Sequence, residues 1–291
     1  PLAFDRVTGI TTRVSVSSEG AQANGPSSQP SLSADGRYLA FLSAASNLVA
    51  NDVNIGDGDE TFGHDVFVHD RTTGTTTLVS VSGSGVQGIG ESYLPSISAD
   101  GHLVAFTSSS PILVPDDTNG ISDVFVRDLR ALTTERVSVT SSGAEVMGGY
   151  ASEAHISADG RYVVFGSWSA GLIPGSPAYW QQVYMRDRAA GVTTRLSVAP
   201  NGQAGSANSE RIRISADARY VLFQSESNNL VPGDTNGRVD VFLCDTTTRA
   251  VRRVCLAPGG ARIAENSFGH GASVEARTIA FTTYAGLVPS D

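Results

Sequence analysis

Residues Ser31 to Phe41 read Ser-Leu-Ser-Ala-Asp-Gly-Arg-Tyr-Leu-Ala-Phe, and the phrase returns along the chain. It reappears as SISADGHLVAF from Ser96, HISADGRYVVF from His155 and RISADARYVLF from Arg213, and in decayed form as ASVEARTIAF from Ala272. The equivalent acidic positions are Asp35, Asp100, Asp159, Asp217 and Glu275, spaced 65, 59, 58 and 58 residues apart. Self-similarity at this period is the signature of a repeat architecture. Two apolar β-branched or aromatic runs flank Asp-Gly, which tolerates positive φ, in the first three phrases, and the same runs flank Asp-Ala and Glu-Ala in the last two, so each predicts a β-hairpin.

A second phrase follows each first one. It reads DVFVHDRTTGTTTLVSV from Asp65, DVFVRDLRALTTERVSV from Asp123, QVYMRDRAAGVTTRLSV from Gln182 and DVFLCDTTTRAVRRVCL from Asp240. The fifth copy lies at the other end of the chain, as LAFDRVTGITTRVSV from Leu2. Each unit therefore predicts four antiparallel strands, A to D from the inside out. The expected fold is all-β: one five-bladed β-propeller over 1–291, with blades near 30–82, 95–140, 154–199, 211–257 and 270–291 plus 1–17. The N-terminal strands are expected to complete the last blade and close the ring, with Leu2 pairing beside the strand that ends at Phe281. Phe41, Phe106, Phe165, Phe223 and Phe281 end strand B and are expected to fill the spaces between blades.

The SADGRYVAF-type phrase followed by a DVFVRD-type phrase resembles the TolB-type family of β-propeller repeats, a WD40-like class of bacterial extracytoplasmic proteins. The resemblance covers nearly the whole chain. It implies a propeller, but not one activity, since the family includes periplasmic adaptors, peptidase propellers and pectin-fragment lyases.

The bulk numbers narrow the partners. The 291 residues carry a net charge of −9, a sequence pI of about 5.0 and no lysine. No basic patch suggests nucleic acid. No apolar run reaches the ~18 residues of a membrane helix, so no membrane insertion is expected. The expectation is a secreted or otherwise extracytoplasmic monomer that binds a glycan or a protein.

Three places could carry chemistry. The B-to-C loops are acidic: Asp117, Asn119 and Asp123 in the second unit, Asp234, Asn236 and Asp240 in the fourth, and Asp52, Asn54, Asp57 and Asp59 in the first. Oxygen donors crowded around a Gly turn suit Ca²⁺, although Asx-turns that start strand C would use the same residues. The start of strand A holds ionisable groups in the later units: Glu153, His155, Glu210, Arg213 and His270. These could perform acid–base chemistry at the channel mouth or neutralise one another. In the third unit the B-to-C loop has exchanged its acids for Tyr179 and Trp180, with Trp168 upstream, a platform for sugar rings or peptides. Tyr93 and Arg211, on strand A, are further candidate ligand contacts.

No GxSxG, HExxH, phosphate loop or CxxC motif is present. His69 and His102 fall at repeat positions held elsewhere by Arg, which points to solvated surface. Cys244 and Cys255 lie on strands C and D of one blade, where ladder register often disfavours a disulfide. Two functions stay open: a calcium-stabilised binding module, or a carbohydrate-active lyase or hydrolase.

Overall fold

The computed structural model describes residues 1–53, 63–177, 179–261, 263–273 and 276–286, without the side chains of His270 and Ala272. Its contacts divide the chain into two compact units, Pro1–Val137 and Ser138–Asp291. Apart from one 3-10 turn at Pro258–Gly260, the regular elements among the described residues are strands.

The first unit opens with the hairpin β1 (Leu2–Asp5) and β2 (Ile10–Arg13). Two four-stranded antiparallel blades follow. These are β3 (Ser27–Leu32), β4 (Tyr38–Ser43), β5 (Asp65–Asp70) and β6 (Thr76–Leu78), then β7 (Ser92–Ile97), β8 (Leu103–Ser108), β9 (Asp123–Asp128) and β10 (Thr133–Arg136). The second unit holds the third blade, β11 (Ala151–Ile156), β12 (Tyr162–Ser167), β13 (Gln182–Asp187) and β14 (Val192–Arg195). The fourth blade is β15 (Ser209–Ile214), β16 (Tyr220–Ser225), β17 (Asp240–Asp245) and β18 (Ala250–Arg253); the hairpin β19 (Ser267–Ala272) and β20 (Ile279–Thr283) follows. The fifth repeat is thus present as two hairpins. Each is a two-stranded sheet among the described residues of its own unit, with Leu2 paired to Arg13 and Phe281 to Gly269.

The repeated phrase builds its hairpin through one hydroxyl. Ser33 Oγ donates to Asp35 Oδ1 at 2.6 Å, and the same oxygen accepts the Arg37 amide. Arg37 then forks onto Asp70 at the end of β5, through Nε at 2.9 Å and Nη2 at 2.7 Å. The third blade repeats both contacts with Ser157, Asp159, Arg161 and Asp187. Between strands B and C, Phe41 faces Phe67, Phe106 faces Phe125, Phe165 faces Tyr184 and Phe223 faces Phe242 in register. All eight rings are fully buried, with centroids 5.7–5.9 Å apart. Phe281 is only half-buried.

Strand A carries a feature the hydrophobic pattern does not announce. Its register shifts at Ser28/Ser31, Tyr93/Ser96, Ser152/His155 and Glu210/Arg213. At these bulges Gln29, Leu94, Glu153 and Arg211 adopt φ of 51°, 55°, 56° and 53°. Non-glycine residues enter this left-handed region at a cost, and bulges re-aim side chains. Here the re-aimed groups stitch neighbouring blades: Gln29 Oε1 accepts the Leu94 amide at 2.7 Å, and Glu153 Oε2 accepts the Ile212 amide at 3.3 Å.

The expectation that His69 is solvated is overturned. Its repeat position points into the seam between blades, not to water. His69 is 6% exposed, and its Nδ1 pairs with Thr76 Oγ1, which donates to Val16 O. Arg127, at the same position in the second blade, is 5% exposed, and its Nη1 donates to Ser82 O, Leu132 O and Thr134 Oγ1. Buried donors must find acceptors, and strand-end carbonyls of the preceding linker supply them.

Cys244 and Cys255 are both buried free thiols. The ladder sets Cys244 opposite Val251, while Cys255 lies near Val241, accepting its amide at 3.1 Å. That stagger keeps the sulfurs apart.

Candidate functional site

The strand-A groups of the second unit engage one another in pairs. Arg213 Nη1 lies 2.7 Å from His155 Nε2 and 2.7 Å from Ile212 O. Burial, and secondarily the Arg213 charge, pull the His155 pKa down to about 3, so the imidazole is neutral and Nε2 is the acceptor. Burial raises the Glu153 pKa, opposed by the Ile212 and Arg211 amides. Glu210 is exposed, and Arg211 leans over the Phe268 ring at 6.0 Å. The expected convergence of Glu153, His155, Glu210 and Arg213 is therefore a run of neighbour contacts along adjacent strands. The side chain of His270 lies outside the described residues.

The acidic loops separate into three kinds, set by residues on strand D that the loop sequences do not reveal. In the second blade, Arg136 Nη1 reaches Asp117 at 3.1 Å and Asp123 at 3.4 Å, and Asn119 Nδ2 donates to Asp123 at 2.7 Å. In the fourth blade, Arg253 Nη1 reaches Asp234 at 3.2 Å and Asp240 at 3.0 Å, and Asn236 Nδ2 donates to Asp240 at 3.0 Å. Asn119 and Asn236 also accept the amide two residues on, forming Asx-turns. In the fourth blade a buried guanidinium sits where a cation was expected; in the second, Asp117, Asp123 and Glu145 also bring carboxylate oxygens within 4.8 Å of one another.

The first blade has the acids without the arginine. Leu78 occupies the repeat position of Arg136 and Arg253. Asp52 and Asp65 are joined instead by the Gln87 amide, whose Nε2 donates to both at 2.8 Å. Asp52 Oδ2 is buried with no partner among the described residues. Burial raises the Asp52 pKa and pushes that of Asp65 up to about 6, against the hydrogen bonds of Ser80 and Gln87. Asn54, Asp57 and Asp59 lie outside the described residues.

The third blade is the reverse case. Arg195 is retained, but Ser176 and Gln182 replace the two acids. Its Nη1 donates to Ser176 Oγ at 3.0 Å, and Nη2 has one long contact of 3.4 Å with Gly202 O. Beside it lies a groove of about 570 Å³ formed by Pro174, Pro177, Trp180, Arg195, Gln203 and Asn229 among others. Trp180 is 42% exposed and Tyr179 is 83% exposed. Trp168 instead stacks on Tyr150, with ring centroids 4.2 Å apart. Tyr93 packs against the core of the first unit. The arginines and Leu78 were visible in the repeat: aligning TTERVSV, TTRLSV, AVRRVCL and TTTLVSV picks out the one position that decides each loop's charge.

Four-stranded antiparallel blades built on one recurring phrase, with adjacent A strands stitched together, define a β-propeller. Its fold resembles that of TolB-type propellers. TolB from Acinetobacter baumannii superposes over 97% of this chain and 58% of its own, with 18% identity and a TM-score of 0.53. An oligogalacturonate lyase in complex with manganese superposes over 96% of this chain and 66% of its own, with 14% identity and a TM-score of 0.55. The chain thus spans less than two thirds of either protein. No family model and no curated protein matches the sequence.

Proposed function

We propose that the chain is an extracytoplasmic binding module whose B-to-C loops present a glycan or protein ligand site. The observation that carries this reading is the third-blade groove. There the repeat has given up its internal ion pair and exposed Trp180 and Tyr179 on a rigid four-stranded scaffold. The pairing of His155 with Arg213, and of Glu153 with backbone amides, supports binding over catalysis. A glycan array read with wild type and Trp180→Ala tests it. Binding that Trp180→Ala abolishes is expected; an empty array and no captured ligand defeat the reading.

Calcium belongs to this proposal at the first blade, and at the second, where Asp117, Asp123 and Glu145 bring carboxylate oxygens within 4.8 Å of one another. In the first blade Asp52 and Asp65 would hold the ion, because among the described residues nothing cationic replaces Arg136 and one Asp52 oxygen has no partner. A bound Ca²⁺ supplies charge neutralisation and pins the loop next to β5. A carbohydrate-active enzyme is the second reading. It is favoured by one observation, the raised pKa of Glu153 on a strained bulge, as a general acid requires. Loss of saccharide cleavage in Glu153→Gln would support it.

A further inference from the structure

The same repeat position gives the third blade a specific ligand chemistry. Arg136 and Arg253 each have two buried aspartates. Among the described residues no carboxylate pairs with Arg195: its partners are the Ser176 hydroxyl, the Gly202 carbonyl and the Tyr184 hydroxyl. A guanidinium stays charged at any working pH, so a retained arginine whose acids are gone seeks an anion from elsewhere.

The surroundings favour the same conclusion. Arg195 is shared by two grooves of the second unit, one of about 770 Å³ and the other of about 570 Å³. The larger also includes Arg249. Among the described residues no carboxylate side chain lines either groove, on a chain of net charge −9. Gln87, which caps the acids of the first blade, has Ala204 as its counterpart after the third, each making the same antiparallel bridge to a preceding valine. Ala204 lines the smaller groove and leaves it open beside Trp180. Gln203 and Asn229 add amide donors and acceptors on the same wall.

We propose that this groove binds an acidic saccharide, with its carboxylate on the exposed Nη2 edge of Arg195 and its ring on Trp180. The inference rests on the binding-module reading and names the ligand class of that site. An aromatic face beside amides and one fixed guanidinium suits a sugar acid better than an extended acidic peptide, which would meet only one committed cation in the smaller groove.

The test titrates the intact chain, carrying Trp168→Phe so that Trp180 alone fluoresces, with a glucuronate-terminated oligosaccharide, with its carboxyl-reduced counterpart and with triglutamate. The acid form is expected to quench Trp180 and to bind about tenfold or more tighter than the reduced form. Arg195→Gln is expected to erase that difference, and Arg195→Lys to restore it only in part, since the fork is lost. Ser176→Asp with Gln182→Asp rebuilds the pair that the second and fourth blades already carry. It is expected to keep the melting temperature while abolishing binding of the acid form. Equal binding of acid and reduced forms overturns the carboxylate assignment and leaves the saccharide-binding reading standing. Tighter binding of triglutamate overturns the saccharide class. No binding of any probe overturns both. Undiminished binding in the Ser176→Asp, Gln182→Asp variant overturns the role of Arg195.

Discussion

Arg253 Nη1 lies 3.0 Å from Asp240 Oδ2, with the two side chains 6% and 0% exposed. A pair this buried is strongly destabilising to break from one side, because the partner's charge remains desolvated. Arg253→Met is therefore expected to cost about 3–5 kcal/mol, read from the urea midpoint. Replacing Asp234 and Asp240 by Asn in the same chain is expected to recover most of the loss. Calcium should not substitute for the guanidinium in the wild-type protein, so mutating these aspartates should leave any calcium-induced shift in melting temperature unchanged.

The first blade predicts the opposite behaviour. The folded-state pKa of Asp65, about 6, exceeds the ordinary value of 3.8. Above pH 6 the ionised group is present in both states and penalises the folded one. As pH falls from 6 towards 4 the folded protein takes up the proton first, so this group's penalty disappears. Asp65→Asn should be more stable than wild type at pH 7.5 without calcium, by about 3 kcal/mol, and close to it near pH 4. Added Ca²⁺ should raise the wild-type melting temperature by more than that of Asp65→Asn. A flat difference across pH in chemical denaturation would contradict this.

His155 gives a second pH signature. Its pKa is depressed to about 3, below the ordinary 6.5, so the unfolded chain binds a proton that the folded chain refuses. This contribution to stability is full above pH 6.5 and erodes as pH falls towards 3. His155→Gln should therefore gain on wild type progressively below pH 6.5. The His155 ring proton shift in NMR should stay constant from pH 8 to about 4.5.

Cys255 replaces a serine of the repeat. Ser80 and Ser197 accept the Val66 and Val183 amides just as the Cys255 sulfur accepts that of Val241. Burial pushes both thiols up to about 12. Thiol titration should find two groups after denaturation without reductant and none in the native protein. Cys255→Ser should shift stability by less than about 1 kcal/mol, as a near-isosteric exchange that keeps the hydrogen bond.

Ala218 stands where the other hairpins have Gly36, Gly101 and Gly160, and it is held at φ 58°. An L-residue there is strained and a glycine is not. Ala218→Gly is expected to stabilise the fold by about 1 kcal/mol, measured by thermal melt. The reverse change, Gly101→Ala, would bring a Cβ to 2.1 Å from the Tyr38 ring and is expected to be strongly destabilising.

The repeat by itself determined the strand order of four blades, the Asp-Gly hairpins and the phenylalanines that fill them. These follow from local rules: a period of two, turn residues with positive φ, and apolar rings at fixed offsets. The sequence also marked the B-to-C loops of the third blade as different. The tertiary structure alone decided what the charged residues do. Asp234 looks like a calcium ligand when read along the loop, but Arg253 from strand D closes it, while Asp117 gains Glu145 as a neighbour that its loop does not announce. His69 looks like surface until Thr76 and the Val16 carbonyl of the preceding linker enclose it, and a bulge sets Glu153 against a neighbour's amide. Strand pairing is written in short-range periodicity. Charge compensation and burial depend on which distant side chains the folded sheet brings within about 3 Å, and a local pattern carries no record of that.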